Sequence, residues 1–539
     1  MITGAEAIVK SLEKEGVEII FGYPGATIAP LYDKLSHSKQ IKHVLVRHEQ
    51  HAGHEASGYA RIKKRPGVCM TTSGPGAMNL ITALGTAYMD SIPLVAITGQ
   101  VSSELLGRDV FQEADMTGAS EPFTKYSYLV KRAEDLPRIV QEAFHIASTG
   151  RPGPVLIDIP VNVQLQRFDF TDPGEVDIRG YKPNVTGHAG QIKRVMRAIN
   201  GAESPLLCMG GGVFAAEAQE LVKEFIETLH IPAVSTMMGI GAIPTAHPLY
   251  IGMLGMHGKS IANQAIADAD LLILVGARVS DRAVLLPKQV GKTTKIIHID
   301  IDPAEIGKNM DTFIPVVGDA KIVLQQILDA KPRPVALEKV EKFKEKKNKM
   351  TVDYKPRAYG INPKAFVNLL SKALPDDHIY CADVGQNQIW SAANCDIRTG
   401  RFLTSGGMGT MGYSIPCAIG AKMADPEKTV VAVCGDGSFQ MQMMELGTMC
   451  QQEVDVKMVV MTNGKLGLVR EIQKTSYKNN QIAVDLTGSP DVVAIAKAYG
   501  IDGKTISTWE EMGPAIEELL SHKGPFLLEC IVDELESSL

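Results

Sequence analysis

Thr429-Val-Val-Ala-Val-Cys-Gly-Asp-Gly-Ser438 is the stretch that decides the fold. Its apolar opening reads as a strand buried on both faces, and the run from Ser438 to Gln452 reads as a helix. Val456-Lys-Met-Val-Val-Met-Thr462 reads as a second buried strand, closed by Asn463-Gly464, and Asn463 lies 27 residues after Asp436. Strand, helix and strand form one βαβ unit, with a carboxylate and an amide at the carboxyl ends of parallel strands. Open α/β sheets bind their ligands there. Two oxygen donors suit a hard divalent ion such as Mg2+, which keeps positions free for phosphate. The glycines let backbone N–H groups approach a diphosphate at the helix N-terminus.

Around this unit the chain reads as three α/β blocks. The first covers 1–165 and alternates strands such as Val17–Phe21, His43–Val46, Gly67–Met70, Pro93–Ile97 and Pro154–Asp158 with helical runs. A segment with Asp172-Pro-Gly and Lys182-Pro reads as a linker. The second block, 188–330, carries Pro205–Cys208, Leu271–Val275 and Lys295–Asp300. The third, 360–539, carries the opening motif. The stretch 338–347, of mixed charge, reads as a solvated helix joining the second and third blocks. The alternation predicts three parallel sheets covered on both faces. The first and third blocks are of similar size, as in a duplicated architecture, although no internal sequence repeat is evident.

With 539 residues the chain exceeds one core. Its 55 Lys and Arg against 61 Asp and Glu give a net charge of −6 with no basic stripe, which argues against nucleic-acid or polybasic membrane binding. No apolar run approaches the ~18 residues of a membrane span, and no secretory signal pattern opens the chain. The eight cysteines form no C-x-x-C pair and several stand in apolar runs, so they read as reduced core thiols of a cytoplasmic protein.

Three motifs point elsewhere. Gly407-Met-Gly-Thr-Met-Gly412 satisfies G-x-G-x-x-G, but the required acidic residue about 20 positions on is absent; Asp425 and Asp436 lie 13 and 24 past Gly412. Gly255-Met-His-Gly-Lys-Ser260 lacks the first P-loop glycine, because that position is Met253. His48, Glu49, His51 and His54 miss the H-E-x-x-H spacing and read as solvated histidines on a helix.

Further segments carry a resemblance over nearly the whole chain, in order. They are Phe21-Gly-Tyr-Pro-Gly25, Arg47-His-Glu-Gln50, Gly58-Tyr-Ala-Arg61, Thr72-Ser-Gly-Pro-Gly76, Ala87–Pro93, Asp109-Val-Phe-Gln-Glu113, Gly150-Arg-Pro-Gly-Pro154, Gly406–Gly412, Gly435-Asp-Gly-Ser438 and Asn463–Arg470. Together they resemble the acetohydroxyacid synthase (acetolactate synthase) family of thiamine diphosphate enzymes. The resemblance implies a pyrimidine-binding domain, a central flavin-type domain and a diphosphate-binding domain. It also implies a homodimer or tetramer whose facing cofactor domains come from different subunits, and it leaves a small regulatory subunit open. The substrates it implies are small 2-ketoacids.

Residue by residue, the resemblance makes Glu49 the carboxyl group beside the aminopyrimidine ring. Asp436, Asn463 and the carbonyl of Lys465 are expected to hold Mg2+. Gly25, Gln386, Asn387, Gly437 and Ser438 line the thiamine diphosphate, Gly409 offers its carbonyl to the amino group, and Met411 wedges beneath the cofactor. Arg282 is expected to bind the carboxylate of the second 2-ketoacid, with Phe111, Gln112, Lys131, Met256, Val384 and Ile472 around that pocket. FAD is expected along Gly210, Gly211, Met256, His257, Arg278 and Asp300, the glycines admitting its phosphates.

The chain also departs from the family pattern. Val279-Ser280 interrupts the segment from Arg278 to Arg282 that faces the flavin, Asn387 stands for a histidine and Met78 for a threonine. Ile472 stands where the biosynthetic enzymes carry a tryptophan that favours 2-ketobutyrate, so coupling of two pyruvates is expected to be favoured. The competing readings are an FAD-dependent oxidase or a 2-ketoacid decarboxylase of the same cofactor family, and a non-catalytic cofactor-binding protein.

Overall fold

The computed structural model describes residues 1–284, 290, 294–336, 341, 345, 347 and 352–538. Among the described residues three six-stranded parallel sheets form the body of the molecule, with one short antiparallel pair, Ile2–Thr3 on Arg167–Phe168, beside the first. The first contains β1 (Ile19–Tyr23), β2 (Lys42–Leu45), β3 (Gly67–Thr71), β4 (Leu94–Gln100), β5 (Tyr126–Leu129) and β6 (Pro154–Pro160). The second contains β7 (Pro205–Met209), β8 (Ala233–Ser235), β9 (Tyr250–Met253), β10 (Leu271–Val275), β11 (Lys295–Asp300) and β12 (Ile314–Val317). The third contains β13 (Ile379–Ala382), β14 (Arg401–Leu403), β15 (Val430–Gly435), β16 (Lys457–Thr462), β17 (Asp502–Ile506) and β18 (Phe526–Ile531).

The first sheet is ordered 2-1-3-4-6-5 and the third 14-13-15-16-18-17, which is the same topology displaced by twelve strands. The duplication absent from the sequence is therefore present in the fold. The second sheet runs 9-8-7-10-11-12, a doubly wound order whose switch point falls between β7 and β10. β4, β6 and β10 are buried along their whole length, as covered parallel strands must be. Among the described residues no helix is long and apolar enough to cross a membrane.

Six helices position the site: α1 (Glu49–Lys63), α2 (Ile81–Asp90), α3 (Gln386–Asn394), α4 (Ser414–Ala424), α5 (Asp436–Gln440) and α6 (Gly467–Ser476). α1 lies between the first sheet and α4, and His51 through Ala60 are all buried. Small residues permit this. A methyl group at Gly58 would collide with the carbonyl of Cys417, and one at Gly420 with the carbonyl of Glu55. The pair runs antiparallel, because Arg61 reaches Thr404 and Tyr413 before α4 begins, while Glu55 faces Gly420 further along it.

Two expectations are corrected. His51 and His54 are not solvated: they are 2% and 0% exposed. His51 Nδ1 meets Glu445 at 2.8 Å, and His54 packs edge-on against Tyr413. Glu445 of the third block meets one and Tyr413, just before α4, the other, and a single helical pattern reveals neither. Nor is Ser438–Gln452 one helix. It breaks after α5, passes through a short 3-10 turn at Met443–Glu445 and resumes at Leu446–Gln451. Gln442 leaves helical geometry there because its side chain turns inward to Asp383.

The linker is extended and pinned to the first sheet's shell by Tyr181 Oη on Thr149 O (2.8 Å) and by Lys14 on Asp172 (2.6 Å). Most of the charged stretch 338–347 lies outside the described residues.

Candidate active site

Asp436 opens α5 at the carboxyl end of β15 and is 4% exposed. Its Oδ1 accepts from Gly437 N (3.0 Å) and its Oδ2 from Gly464 N (2.7 Å). Burial pushes its pKa up to about 6 despite these donors. Among the described residues it has no ion pair with a Lys or Arg, so a buried carboxylate stands at a strand end without a counter-charge. Asn463 follows β16. Its Nδ2 donates to Gln386 Oε1 (3.0 Å), and its Oδ1 accepts from Lys465 N (3.1 Å). The Lys465 ammonium is drawn away to Asp485 and Glu534. Gly464 has φ +66° and open space where a side chain would lie.

Gln386, the first residue of α3, donates to Glu471 Oε1 (3.0 Å) and to Glu536 O (2.8 Å). Asn387 is 2% exposed and donates both amide protons to backbone carbonyls, Asp383 O at 2.9 Å and Val433 O at 3.2 Å. Those partners fix its orientation, so its side chain has no N–H left for a phosphate. Ser438 Oγ lies 3.4 Å from Val384 O.

Met411 approaches Gly437, where a methyl group would lie 3.6 Å from Met411 Cε and 2.8 Å from Leu466 Cδ2. Gly409 has φ +69° and faces open space. The Gly406–Gly412 loop thus sits beside the Asp436 turn, with its apex uncovered. Ile472 on α6 is 46% exposed.

A second group gathers around Glu49, the first residue of α1, capped by His48. Glu49 Oε2 accepts from Asn79 Nδ2 at 2.9 Å. Gly76 and Gly25 close on Thr72 beside it, leaving no room for a Cβ at either position. Gln112, at φ +60°, packs on Gly74, while Phe111 is 86% exposed. Gln100 Nε2 holds this loop through Ala114 O (2.7 Å) and Asp158 Oδ2 (2.9 Å). Burial pushes the Asp158 carboxyl up to about 7. Lys131 is exposed just past β5.

The two groups are not together within one chain. Glu49 lies at the end of α1 remote from Arg61, and Arg61 is the residue that reaches the loop before α4. Twelve helical residues separate them, about 18 Å.

In the central block Arg282 is exposed and its Nη1 lies 3.0 Å from Met256 Sδ. Arg278 donates to Met89 O, and burial holds its pKa below the usual arginine range. The protein itself explains Gly210, where a Cβ would collide with Gly276 O, whereas one at Gly211 would lie 3.3 Å from Met238 Cβ, a tight but not forbidden approach. The expectation that Gly210 is small to admit phosphate is therefore not needed. Among the described residues the buried His257 Nδ1 and His298 Nε2 make no hydrogen bond, His298 Nε2 lying 3.9 Å from Asp300 Oδ2, and burial raises Asp300 to about 6.

The sequence reading overlooked Asp383, Gln442, Glu471, Asn79 and Asp158. Asp383 carried a signal, since it ends β13 as Asp436 ends its own strand; the others become legible only through their partners.

Comparison with known families gives three matches in order. Residues 2–119 match the thiamine pyrophosphate enzyme N-terminal TPP binding domain, 192–327 the central domain and 383–530 the C-terminal TPP binding domain. The chain is 43% identical to an "acetolactate synthase large subunit" of Corynebacterium glutamicum, over 99% of this chain and 87% of that protein. It is 44% identical to an "acetolactate synthase" of Arthrospira platensis, over 98% and 94%. It is 43% identical to a "probable acetolactate synthase large subunit" of Methanocaldococcus jannaschii, over 99% and 92%.

Proposed function

The chain belongs to the acetolactate synthases of the thiamine diphosphate enzyme family, and from that membership we propose that it decarboxylates pyruvate and joins the remaining two-carbon unit to a second pyruvate, giving 2-acetolactate. The observation that carries this reading is Asp436 and Asn463 side by side at the ends of β15 and β16, with Gly437 and Gly464 between them. The donor set fits Mg2+: among the described residues no Lys or Arg pairs with the buried Asp436 carboxylate, and the side-chain and carbonyl donors named are oxygens. Asp436, Asn463 and the Lys465 carbonyl would hold the ion. Bound thiamine diphosphate supplies an electron sink for the carbanion left by decarboxylation.

The chain's own groups orient and move protons. Glu49 Oε2 is held by Asn79, so Oε1 is the oxygen free to exchange a proton with the pyrimidine ring. Met411 and the Gly409 carbonyl shape the cofactor pocket, and Arg282 orients the second 2-ketoacid through its carboxylate. Phe111, Gln112, Val384 and Ile472 line the acceptor pocket. Asn387 reaches a phosphate only through its backbone.

The separation of Glu49 from the Asp436 turn supports a homodimer in which each cofactor is enclosed by two chains. It also accounts for the exposure of Phe111. The printed name "large subunit" of the relatives is the ground for proposing a smaller partner chain. FAD is proposed at the switch point between β7 and β10, where doubly wound sheets take dinucleotides. His257 Nδ1, which makes no hydrogen bond among the described residues, is the group a flavin would satisfy, while Arg278 would first have to leave Met89.

The test is product analysis with pyruvate, Mg2+ and thiamine diphosphate, with and without FAD. Acetolactate, read as acetoin after acid treatment, is expected. Acetaldehyde, or peroxide with oxygen uptake, would move the enzyme to the decarboxylase or oxidase branch. Glu49→Gln is expected to abolish turnover and leave thiamine diphosphate affinity within about threefold; full activity would remove Glu49 from its role.

A further inference from the structure

The loop from Gly406 to Gly412 presents Gly409 and Met411, yet its apex touches little. Gly409 faces open space, so the loop's shape is set at its two ends. At its start Gly406 N and Gly407 N donate to the Asp90 carboxylate (3.1 and 2.7 Å), and beside the apex Thr410 N donates to Ser405 Oγ (3.0 Å) while Thr410 Oγ1 pairs with Thr86 Oγ1 (2.7 Å). At the other end everything converges on one side chain. Asp383 is 0% exposed. Its Oδ1 accepts from Val384 N (2.8 Å) and Gly412 N (3.0 Å), and its Oδ2 from Ser414 N (2.8 Å) and Gln442 Nε2 (2.9 Å). Gln442 in turn accepts Ile415 N on Oε1 at 2.9 Å. Four donors from the end of β13, the loop, the first turn of α4 and the break after α5 thus meet two carboxylate oxygens. Such a set calls for an ionised acceptor of this size, because a shorter or neutral group leaves buried N–H donors unmade.

We propose that Asp383 is a positioning residue of the reaction. It sets the Gly409 carbonyl and the Met411 side chain against the Asp436 turn, and through Val384 N it sets the main chain beside the acceptor pocket. It touches neither cofactor nor substrate. The proposal rests on the reading above that Gly409 and Met411 face thiamine diphosphate. Asp383→Asn keeps the shape but turns an amide group toward two of the four donors, the pair at Ser414 N and Gln442 Nε2.

The experiment measures thiamine diphosphate affinity by calorimetry with Mg2+, and kcat and KM for pyruvate at saturating cofactor. Wild type, D383N and the double variant D383N/Q442E are compared. In the double variant the new carboxylate accepts from the new amide. D383N is expected to bind the cofactor about tenfold more weakly and to lose about tenfold or more in kcat, with KM for pyruvate within about threefold. The double variant is expected to recover part of both losses. Unchanged cofactor affinity and kcat in D383N would overturn the proposal. So would losses that Q442E leaves untouched, since they would mark a merely structural carboxylate. If D383N does not fold, Gln442→Glu alone keeps the acceptor for Ile415 N and withdraws the donor to Asp383: a loss of kcat at saturation supports the proposal and an unchanged kcat overturns it. Wild type that binds cofactor but forms no acetolactate would defeat the proposed function alone, and the affinities would still decide Asp383.

Discussion

At the scale of the residue, what each side chain can do is set by its neighbours more than by its type. Asp436 and Asp383 both follow a buried strand, but one is left with backbone donors and no counter-charge while the other is saturated by four N–H groups. The first is suited to a cation and the second to holding a loop. Ile472 belongs at this scale too. It stands exposed on α6, as does Val469, and in the proposed acceptor pocket a larger ring there would extend the apolar wall. Ile472→Trp is expected to shift acceptor choice toward 2-ketobutyrate by about 1–3 kcal/mol, tenfold or more in product ratio. Competition between the two 2-ketoacids measures it, and an unchanged ratio would place Ile472 outside the pocket.

At the scale of the element, the α1–α4 pair joins the first and third sheets through backbone contact rather than interlocking side chains. Gly420 meets the Glu55 carbonyl, and no flexible side chain can yield there. Gly420→Ala is therefore expected to cost about 2 kcal/mol or more, because two helices must part to admit one methyl group. Gly513, inside the helix Met512–Ser521, faces open space, so Gly513→Ala is expected to be neutral or to stabilise by up to about 1 kcal/mol. Thermal melts of both variants check the contrast; equal midpoints would contradict the close packing.

At the scale of the whole molecule, the antiparallel α1–α4 pair places Glu49 and the Asp436 turn at opposite ends, so the proposed site needs two chains. Mixing addresses this directly. Glu49→Gln and Asp436→Ala are each expected to be inactive. Co-refolded or co-expressed in equal amounts, they should regain about a quarter of wild-type activity, because half the dimers are mixed and each mixed dimer has one intact site. No recovery in demonstrably mixed dimers would mean that each chain builds its site alone.

Three α/β blocks, the βαβ unit with Asp436 and Asn463 at its strand ends, and the family were all legible in the residue order, because they rest on local periodicity and turn glycines. The residue order also located Glu49 at the start of a helix. The folded chain revealed the shared strand order of the first and third sheets and the burial of the α1 histidines. It alone showed that Gly210 is small for the sake of Gly276, that Asn387 turns its amide inward and that Gln442 breaks a helix to reach Asp383. Each of these depends on contacts between residues tens to hundreds of positions apart, and local periodicity carries no record of which distant surface will cover a given face.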